Sequence, residues 1–443
     1  MSKLEVNAIE PQCGTTLTLG ASDTSIAGIG TVNWDTTPKT TGFTAVSGRG
    51  YFVNTTSGAL TLTLPASPSA GDIVAVKDYA GTFATNNLTI ARNGSNIDGE
   101  TNDSVRDTNN ESLTLFYIDA TQGWKSVEAG AGLLGAKFVT ATGGTITTSG
   151  DYKIHTFTGP GTFSVSCTGN ASGSNSVDYL VIAGGGAGGG GAPIGGGGGG
   201  GGAGGYRESS GTASGCYTVS PLGSCVSALT VSATTYPITV GAGGASVSDA
   251  NDGNSGSSSV FSTITSNGGG GGGYGVPVPT TAYRAGLNGG SGGGAGSGGS
   301  CTSTTGAGGS GNTPPVSPPQ GSNGGSTSNP NVRKSSGGGG ATSAGGSASA
   351  NCSPGVGGSG ATSSINATPT ARAGGGGGSS SGGGSTIGLG GSGGGGNGGG
   401  DAQDNAVSGT ANRGGGGGGA SDSAGYTSGA GGSGIVIIRY KYQ

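Results

Sequence analysis

The chain has 443 residues, of which 111 are glycine and only 9% are charged, and its formal net charge is −4. Without a basic patch or stripe it lacks the electrostatic basis for binding nucleic acid or an anionic membrane surface. No run of about 18 apolar residues is present, so we expect no membrane insertion, and the start, MSKLEVNAIEPQ, lacks the apolar segment of a secretory signal.

Residues 1–40 form a first segment that is rich in threonine and serine and contains a few apolar residues. The composition changes after this segment. We therefore expect this segment to be separate from the β-domain that follows.

Residues 41–136 have the pattern of a small β-domain. Leucine alternates with threonine from Leu60 to Leu64, and this period of two is typical of a half-buried strand. Further segments of strand composition are Asp72–Lys77, Asn87–Ala91, Ser112–Asp119 and Trp124–Val127. Short strands with polar turns predict a sandwich or a barrel. The aromatic residues expected in its core are Trp124, Phe116 and Tyr117.

Residues 137–183 predict a second β-unit, which opens the glycine-rich region. Its candidate strands are Asp151–Phe157, Gly161–Cys167 and Val177–Ala183. The only histidine of the chain, His155, lies in the first of them. A general base needs a nucleophile or a water to act on, and the sequence nominates neither, so we predict a structural histidine.

Residues 184–443 are dominated by glycine. The glycine-rich runs are at 184–191, 195–202, 268–273, 337–340, 374–378, 393–400 and 414–419. A flexible linker is the default interpretation, because glycine loses the most backbone entropy on ordering. Collagen needs glycine at every third position, and uninterrupted runs with only 17 prolines exclude it.

We favour a packed bundle of extended glycine segments in the polyproline-II conformation, which has three residues per turn. Segments without side chains can approach closely on all sides, so every N–H and C=O can bond to a neighbour. Strand-like segments lead into several runs, and a linker rarely needs such anchors. DYLVIA precedes Gly184, and the chain ends in a strong strand, GIVIIRY, at 434–440. We hypothesise that this closing strand returns beside Val177–Ala183.

The predicted fold class is therefore all-β: an N-terminal segment, a small β-sandwich-like domain, and a β-capped bundle of glycine-rich, polyproline-II-type strands. The predicted boundaries are 1–40, 41–136, 137–183 for the cap and 184–443 for the bundle.

No enzyme chemistry is predicted. Matches to G-x-G-x-x-G are uninformative where glycine is so abundant, and the acidic cluster Asp98, Glu100 and Asp103 lacks calcium-loop spacing. The six cysteines form no C-x-x-C pair, so we expect no metal and no cofactor. Cys216 and Cys225 lie nine residues apart in one predicted loop, and a disulfide between them is left open.

Several segments resemble bacteriophage tail-fibre proteins. The segments TGPGTFSVS, VDYLVIAGGGAGG, YPITVGAGG and SGIVIIRY resemble the glycine-rich domain at the C-terminus of many phage tail fibres, a polyglycine-II sandwich. The N-terminus, MSKLEVNAIEPQCGTTLTLG, is similar to the start of many marine phage tail proteins, and 41–130 looks like a recurrent β-domain of phage fibres. The resemblance implies a homotrimeric virion component, synthesised in the host cytoplasm. It implies attachment to other tail proteins through Leu4, Val6, Ile9, Pro11, Leu17 and Leu19.

The resemblance also implies that the loops joining the glycine rods bind a host-surface glycan or protein. By position, these loops are 203–236, 274–288, 301–336, 341–373 and 401–413, and the end of the bundle that forms the tip stays open. Tyrosine and arginine are enriched at binding hot spots. The candidate receptor-binding residues are Tyr206, Arg207, Tyr217, Tyr274, Tyr283, Arg284, Arg333, Lys334 and Arg372.

Two other functions are kept as alternatives. A cell-surface or ice-binding structural glycine-rich protein would have no tail-attachment segment. A polysaccharide-depolymerising tailspike would need paired catalytic carboxylates, and acidic residues are sparse in the glycine-rich region.

Overall fold

The computed structural model describes residues 32–126, 137–170, 173–193, 195–215, 217–276, 284–298, 306–327, 333–348, 353–382, 386–400, 405–422 and 426–443. The chain divides into two compact units, 1–136 and 137–443, the second of which starts where the cap was predicted to start. The described residues form strands and one turn of 3₁₀ helix, Pro221–Gly223, which confirms the all-β class. Within these ranges no helix is long and apolar enough to cross a membrane. The predicted tail-attachment residues lie outside the described residues.

The first unit is built from short strands. In the described part they are β1 (Asn33–Lys39), β2 (Phe43–Thr44), β3 (Arg49–Val53), β4 (Leu60–Thr63), β5 (Ile73–Asp78), β6 (Leu88–Ala91), β7 (Ser104–Arg106), β8 (Ser112–Asp119) and β9 (Gly123–Ser126). They form one sheet in the order β1-β3-β5-β8-β9 and another in the order β2-β4-β6-β7. Apolar residues of both sheets, such as Val76, Leu115 and Ile90, share one core, as the predicted sandwich requires.

The first six strands alternate between the two sheets. Within each sheet they pair in parallel, β1 with β3 and β3 with β5, and β2 with β4 and β4 with β6. The chain therefore coils like a short solenoid before β7, β8 and β9 add antiparallel pairs. The alternating leucines predicted the strands but not this pairing, because a half-buried strand has the same pattern in parallel and antiparallel sheets.

Two details of the first unit correct the sequence prediction. The predicted boundary at residue 40 is wrong, because β1 begins at Asn33 and pairs with β3. The ring centres of Trp34 on β1 and Phe52 on β3 lie 5.0 Å apart. The strand carries Pro38 and no clear alternation, so pairing rather than local pattern defines it. Trp124 is fully buried in the core as predicted and Tyr117 packs against it, but Phe116 is half-buried and outside that core.

The second unit also begins with strands. In its described residues they are β10 (Val139–Thr142), β11 (Thr145–Ser149), β12 (Tyr152–Phe157), β13 (Gly161–Thr168), β14 (Ser176–Ile182), β15 (Tyr206–Glu208), β16 (Leu229–Thr230), β17 (Thr235–Thr239), β18 (Ser259–Phe261), β19 (Ile264–Ser266), β20 (Ala361–Ser363), β21 (Thr370–Arg372) and β22 (Ile435–Lys441). The main sheets have the orders β11-β12-β22-β14-β15 and β10-β13-β17-β18-β19.

The closing strand β22 lies in the middle of its sheet. It pairs antiparallel with β14, Ile435 opposite Ile182 and Arg439 opposite Asp178, and on its other edge with β12. The hypothesis that the last strand returns beside Val177–Ala183 is therefore confirmed. The strand that precedes the glycine rods, β14, pairs with the strand that follows them, β22. The rods are therefore an insertion between two neighbouring strands of one sheet.

Alternate residues of β22 face two different cores. Val436, Ile438 and Tyr440 pack against the β10-β13-β17 sheet. Ile435 and Ile437 face the other way, against a cluster that includes alanines at the ends of the glycine segments. Both faces of the strand are therefore buried, which explains its continuous apolar sequence.

His155 has a structural role, as predicted. It is fully buried on β12. Its Nδ1–H donates to the Gly143 carbonyl at 2.7 Å, and its Nε2 accepts from the Tyr440 hydroxyl at 3.0 Å. Burial lowers the pKa of His155, so the ring stays neutral and links β12 to the closing strand.

The glycine segments form a regular lattice around residues 195–205, which we call the central rod. Its backbone donors follow a period of three residues along the rod. Gly199 and Gly202 donate to Gly273 and Gly270; Gly200 and Ala203 donate to Ser336 and Gly339; Gly201 and Gly204 donate to Gly417 and Gly414, all at 2.8–2.9 Å. Three residues per turn with every bond made to another segment is the geometry of the polyproline-II helix.

The central rod is bonded on all sides. Its carbonyls accept from three more segments, through Gly186 to Gly202, Gly294 to Gly200 and Gly376 to Gly201. The six neighbours are the segments 184–192, 267–273, 291–297, 335–339, 376–379 and 414–420. Six neighbours around one rod give hexagonal packing, in which backbone hydrogen bonds replace a conventional side-chain core.

Candidate binding surfaces

The rods run alternately away from the β-sheet and back towards it. Residues 184–192 leave β14, and the central rod returns to β15. Each of these rods therefore has one end beside the sheet, here called the sheet end, and one at the opposite side of the bundle, here called the open end. The open end is marked by the described rod termini Val276, Gly298, Thr327, Lys334 and Ser380, which are joined in part by single β-bridges.

This alternation changes how the predicted loops are divided. Segments 301–336, 341–373 and 401–413 each contain rods as well as loops. For example, Gly309 donates to Gly293, Gly358 to Gly338, and Val407 to Asn397. The prediction missed these rods because they carry side chains and are not pure glycine.

Outer rods place a side chain in solvent at every third position. Examples are Ser353, Val356 and Ser359 on one rod and Thr386, Leu389 and Ser392 on another. Val356, Leu389 and Val407 are 53%, 57% and 50% exposed. The sequence signal was a side chain recurring every three residues between glycines, which fits a three-residue turn.

The candidate receptor-binding residues separate into two groups. Tyr274, Arg284, Arg333 and Lys334 lie at the open end, whereas Tyr206, Arg207, Tyr217 and Arg372 lie at the sheet end. Tyr283 is outside the described residues. The structure therefore does not bring the predicted set together in one surface.

At the open end, the exposed side chain of Arg284 lies over the half-buried ring of Tyr274. The Arg284 guanidinium carbon lies 4.7 Å from the centre of the Tyr274 ring. Tyr274 is half-buried, and its backbone N–H donates to Asp252 at 3.1 Å, which fixes the neighbouring chain. Arg284 is exposed, so an oriented cation is presented to solvent on an aromatic platform.

Arg333 and Lys334 are adjacent in sequence but differ in exposure. The Arg333 side chain is 41% exposed, with Nη1 3.7 Å from Asp422 Oδ2. Lys334 is buried, and its Nζ donates to the Ser380 hydroxyl and to the Ser381 carbonyl. The prediction of an exposed contact is therefore wrong for Lys334, because its ammonium ties two rods together.

Near the open end, serines replace glycines inside the lattice. The hydroxyls of Ser335 and Ser379 both donate to the Gly198 carbonyl, at 2.6 and 2.9 Å. They are 2.9 Å from each other and fully buried. These hydroxyls fill the space between rods and satisfy backbone acceptors, so they stiffen the layer beneath the exposed residues.

At the sheet end, Tyr206 and Arg372 are buried rather than exposed. The Tyr206 hydroxyl donates to Glu208 Oε2 at 2.9 Å, and burial is the main cause that raises the pKa of Glu208. The expectation that these two side chains are exposed for receptor contact is therefore wrong. Tyr206 is the first residue of the three-residue strand β15 and is buried. Arg207 follows it on the other face of the strand and is half-buried.

Two buried carboxylates that the sequence reasoning missed fix the loop after β15. Asp178 accepts from the Ser209 hydroxyl at 2.7 Å, from the backbone of Gly211 and Ala213 at 3.1 Å, and from the Ser214 hydroxyl. Glu208 accepts from the Ser220 backbone at 3.1 Å. An acidic residue inside an otherwise apolar strand, as in SVDYLVI, was the available signal, since buried charges need such partners.

Of the two cysteines in the disulfide that the sequence left open, Cys216 and Cys225, the structure describes only Cys225, and it forms no disulfide. Cys225 is a free, exposed thiol, and its Sγ lies 3.8 Å from the Ser224 hydroxyl. Cys216 is outside the described residues. The loop is held by Asp178 and Glu208 instead, so it does not need a covalent constraint.

Residues 156–441 match the family described as the glycine-rich domain. This chain belongs to the glycine-rich domain family. The match begins within β12 and ends with β22, so it covers β14, β15, β22 and all the rods between β14 and β22. No curated protein matches the chain. In the described part of this glycine-rich domain the lattice is shared by the rods as a whole, and exposed side chains lie on the outer rods and at the two ends.

Proposed function

We propose that this protein is a bacteriophage tail-fibre component that binds a host-surface receptor through the open end of its glycine-rich domain. The observation that carries the proposal is the exposed Arg284 guanidinium over the Tyr274 ring, held on rods that the lattice makes rigid. Rigid presentation lowers the entropy that a binding surface loses when its ligand docks. The role is binding and not catalysis.

The open end is favoured over the sheet end for a topological reason. The chain enters the glycine-rich domain at Lys137, next to the strands of the cap. The open end is the end of the bundle farthest along the rods from that entry. A fibre that is attached through its N-terminus would present this end outwards, and the attachment segment and trimer are part of the proposal.

Binding of the full-length chain to a panel of bacterial strains tests the receptor role. On a strain that binds it, replacing Arg284 and Arg333 together with alanine should weaken binding by at least about tenfold, the scale of a hot-spot loss. Arg413→Ala is the matched control, because Arg413 is exposed at the sheet end. Equal loss in both variants, or loss in neither, contradicts the assignment of the open end.

Attachment to the virion needs its own experiment. Antibodies against residues 41–126, applied to phage particles with gold labelling, should mark the tail. Labelling of cell envelopes instead of particles would favour a cell-surface protein.

An ice-binding protein is the second candidate, and the regular outer rods favour it. Three residues of a polyproline-II rod span roughly 9 Å, so exposed side chains such as Thr386, Leu389 and Ser392 repeat at that spacing. Thermal hysteresis of the purified chain decides between the candidates, because a receptor-binding protein should produce none.

A further inference from the structure

The sheet end carries a cleft that the receptor proposal does not use. Its volume is about 510 Å³, and it is lined by Ser149, Tyr217, Thr218, Ser364, Ala367 and Arg439. This volume lies in the usual range for small-molecule sites. The lining joins the end of β11, the loop after β15, the turn between β20 and β21, and the closing strand β22.

The Arg439 guanidinium is held in one orientation. Its central carbon lies over two tyrosine rings, 4.6 Å from the centre of the Tyr152 ring and 5.2 Å from the centre of the Tyr217 ring. Nε and Nη1 each donate at 3.3 Å, to the carbonyls of Ser214 and Ile365. Two tyrosine rings and two carbonyl acceptors therefore restrict the orientation of the group.

One edge of the guanidinium keeps its donors available. Among the described residues, the hydrogen bonds of Arg439 use Nε and Nη1 only, which leaves Nη2 and the second Nη1 proton. Asp178 lies opposite Arg439 on β14. Its carboxylate oxygens accept hydrogen bonds from the Ser209 and Ser214 hydroxyls and from the backbone N–H groups of Gly211 and Ala213. A fixed guanidinium with two free donors side by side matches a carboxylate, which can accept both.

The remaining lining suits a sugar. Three residues with hydroxyl side chains, Ser149, Thr218 and Ser364, line the cleft together with Arg439, and Tyr217 adds an aromatic side chain to the lining. The Ser364 N–H donates to the Thr218 carbonyl at 2.8 Å, so the two sides of the cleft are tied together. We propose that this cleft binds a saccharide residue that carries a carboxylate, such as a uronic acid, with its carboxylate on Arg439.

Binding of sodium glucuronate to the full-length chain, followed by titration calorimetry or by ligand-observed NMR, tests the proposal. Glucuronate should bind, and glucose, which lacks the charge, should bind at least about tenfold more weakly. Acetate should also bind at least about tenfold more weakly, because it lacks the hydroxyls. Equal binding of glucose or acetate overturns the proposal, and so does the absence of glucuronate binding.

Two variants locate the site. Thr218→Trp should fill the cleft from its exposed rim without removing the guanidinium, and reduce glucuronate affinity at least about tenfold. Thr148→Trp is the matched control, because Thr148 is exposed on the same strand as Ser149 but does not line the cleft. Arg439→Lys keeps the positive charge but removes the two parallel N–H donors of the guanidinium, and should also lose glucuronate binding. If Thr218→Trp folds and binds as tightly as the control, the site is not here.

This site is separate from the open end, so the two proposals can fail independently. The Arg284 and Arg333 variants should bind glucuronate normally. The Thr218→Trp variant should bind host cells unless the host receptor is itself an acidic polysaccharide.

Discussion

Gly200 of the central rod lies so close to a neighbouring rod that a Cβ atom on it would stand 2.1 Å from the Gly376 carbonyl oxygen. The two neighbouring glycines are obstructed in other directions. A Cβ atom on Gly199 would stand 2.2 Å from the Gly294 oxygen, and a Cβ atom on Gly201 would stand 2.1 Å from the Gly186 oxygen. The obstructing atoms are backbone atoms that are themselves hydrogen-bonded, so they cannot rotate away as a side chain would. The lattice therefore excludes side chains from these three positions of the central rod.

Gly200→Ala should destabilise the second unit by at least about 1–3 kcal/mol, the usual cost of overpacking a dense interior. The new methyl group has to push two rods apart and stretch their hydrogen bonds. Thermal or urea unfolding of the variant measures the change.

Gly159→Ala is the control for this substitution. Nothing lies within 4 Å of a Cβ built at Gly159, which is outside the lattice. It should change stability by less than about 0.5 kcal/mol. If the two variants are equally stable, close packing of the rods does not hold the domain together.

The central rod should exchange its amide protons slowly. The N–H groups from Gly198 to Gly205 donate to carbonyls of neighbouring rods or adjoining loops, and the glycines are buried. Exchange there should need opening of the whole lattice rather than of a local turn. Mass spectrometry of a peptide covering 196–205, compared with the unfolded chain, measures protection. Exchange as fast as in the unfolded chain would mean that these residues form a flexible tract.

Ile437→Ala in the closing strand should cost about 2–5 kcal/mol, because Ile437 is fully buried and pairs with both β12 and β14. Ile146→Ala is the control, since Ile146 is 44% exposed at the sheet edge and should cost less than about 0.5 kcal/mol. Chemical denaturation of both variants checks this. Similar stabilities would mean that the bundle does not depend on its closing strand.

The second unit should lose stability as the pH falls below about 6.5. Burial lowers the pKa of His155 from its ordinary 6.5, so the unfolded state binds a proton where the folded state does not. The His155 contribution is complete above the unfolded pKa and is lost as the pH falls from there towards the folded pKa. The midpoint of thermal unfolding should therefore be lower at pH 5.5 than at pH 7.5.

His155→Gln separates this effect from other titrating groups. Glu208 has a raised pKa and contributes with the opposite sign, since its neutral form is favoured in the fold. The difference between the two pH values should shrink in the variant relative to the natural chain. An unchanged difference would assign the pH dependence to other residues.

Cys225 should react as an ordinary surface thiol. It is free and exposed, so iodoacetamide should alkylate it in the folded chain without prior reduction. Peptide mass spectrometry identifies the modified residue, and Cys225→Ser removes the signal. Alkylation that requires a reductant would show that a disulfide forms there after all.

Much of the fold was predictable where side chains repeat. The strand SLTLFYID matches β8, and the apolar run at 177–183 matches β14 within one residue at each end. The solenoid-like parallel pairing of β1 to β6 was not predictable, because strand composition does not specify the direction of the partner.

The candidate site was less predictable than the fold. Arg284 and Arg333 are exposed or half-exposed, while Lys334 and Arg372 are buried, although all four follow or precede glycine-rich or polar sequence. Their exposure depends on how far each rod extends and on which rods surround it. Arg439 illustrates the same point, since the end of an apolar strand gives no sign of a cleft.

The sequence by itself determined the strongly patterned strands and the uninterrupted glycine rods, since side-chain alternation and its absence are local properties that restrict the backbone directly. Only the tertiary structure decided which rods are neighbours, which end is open and which charged groups are buried. The physical reason is that glycine rods associate through N–H and C=O groups that are identical at every residue, so no side chain specifies the partner; the sheet that anchors the rods does.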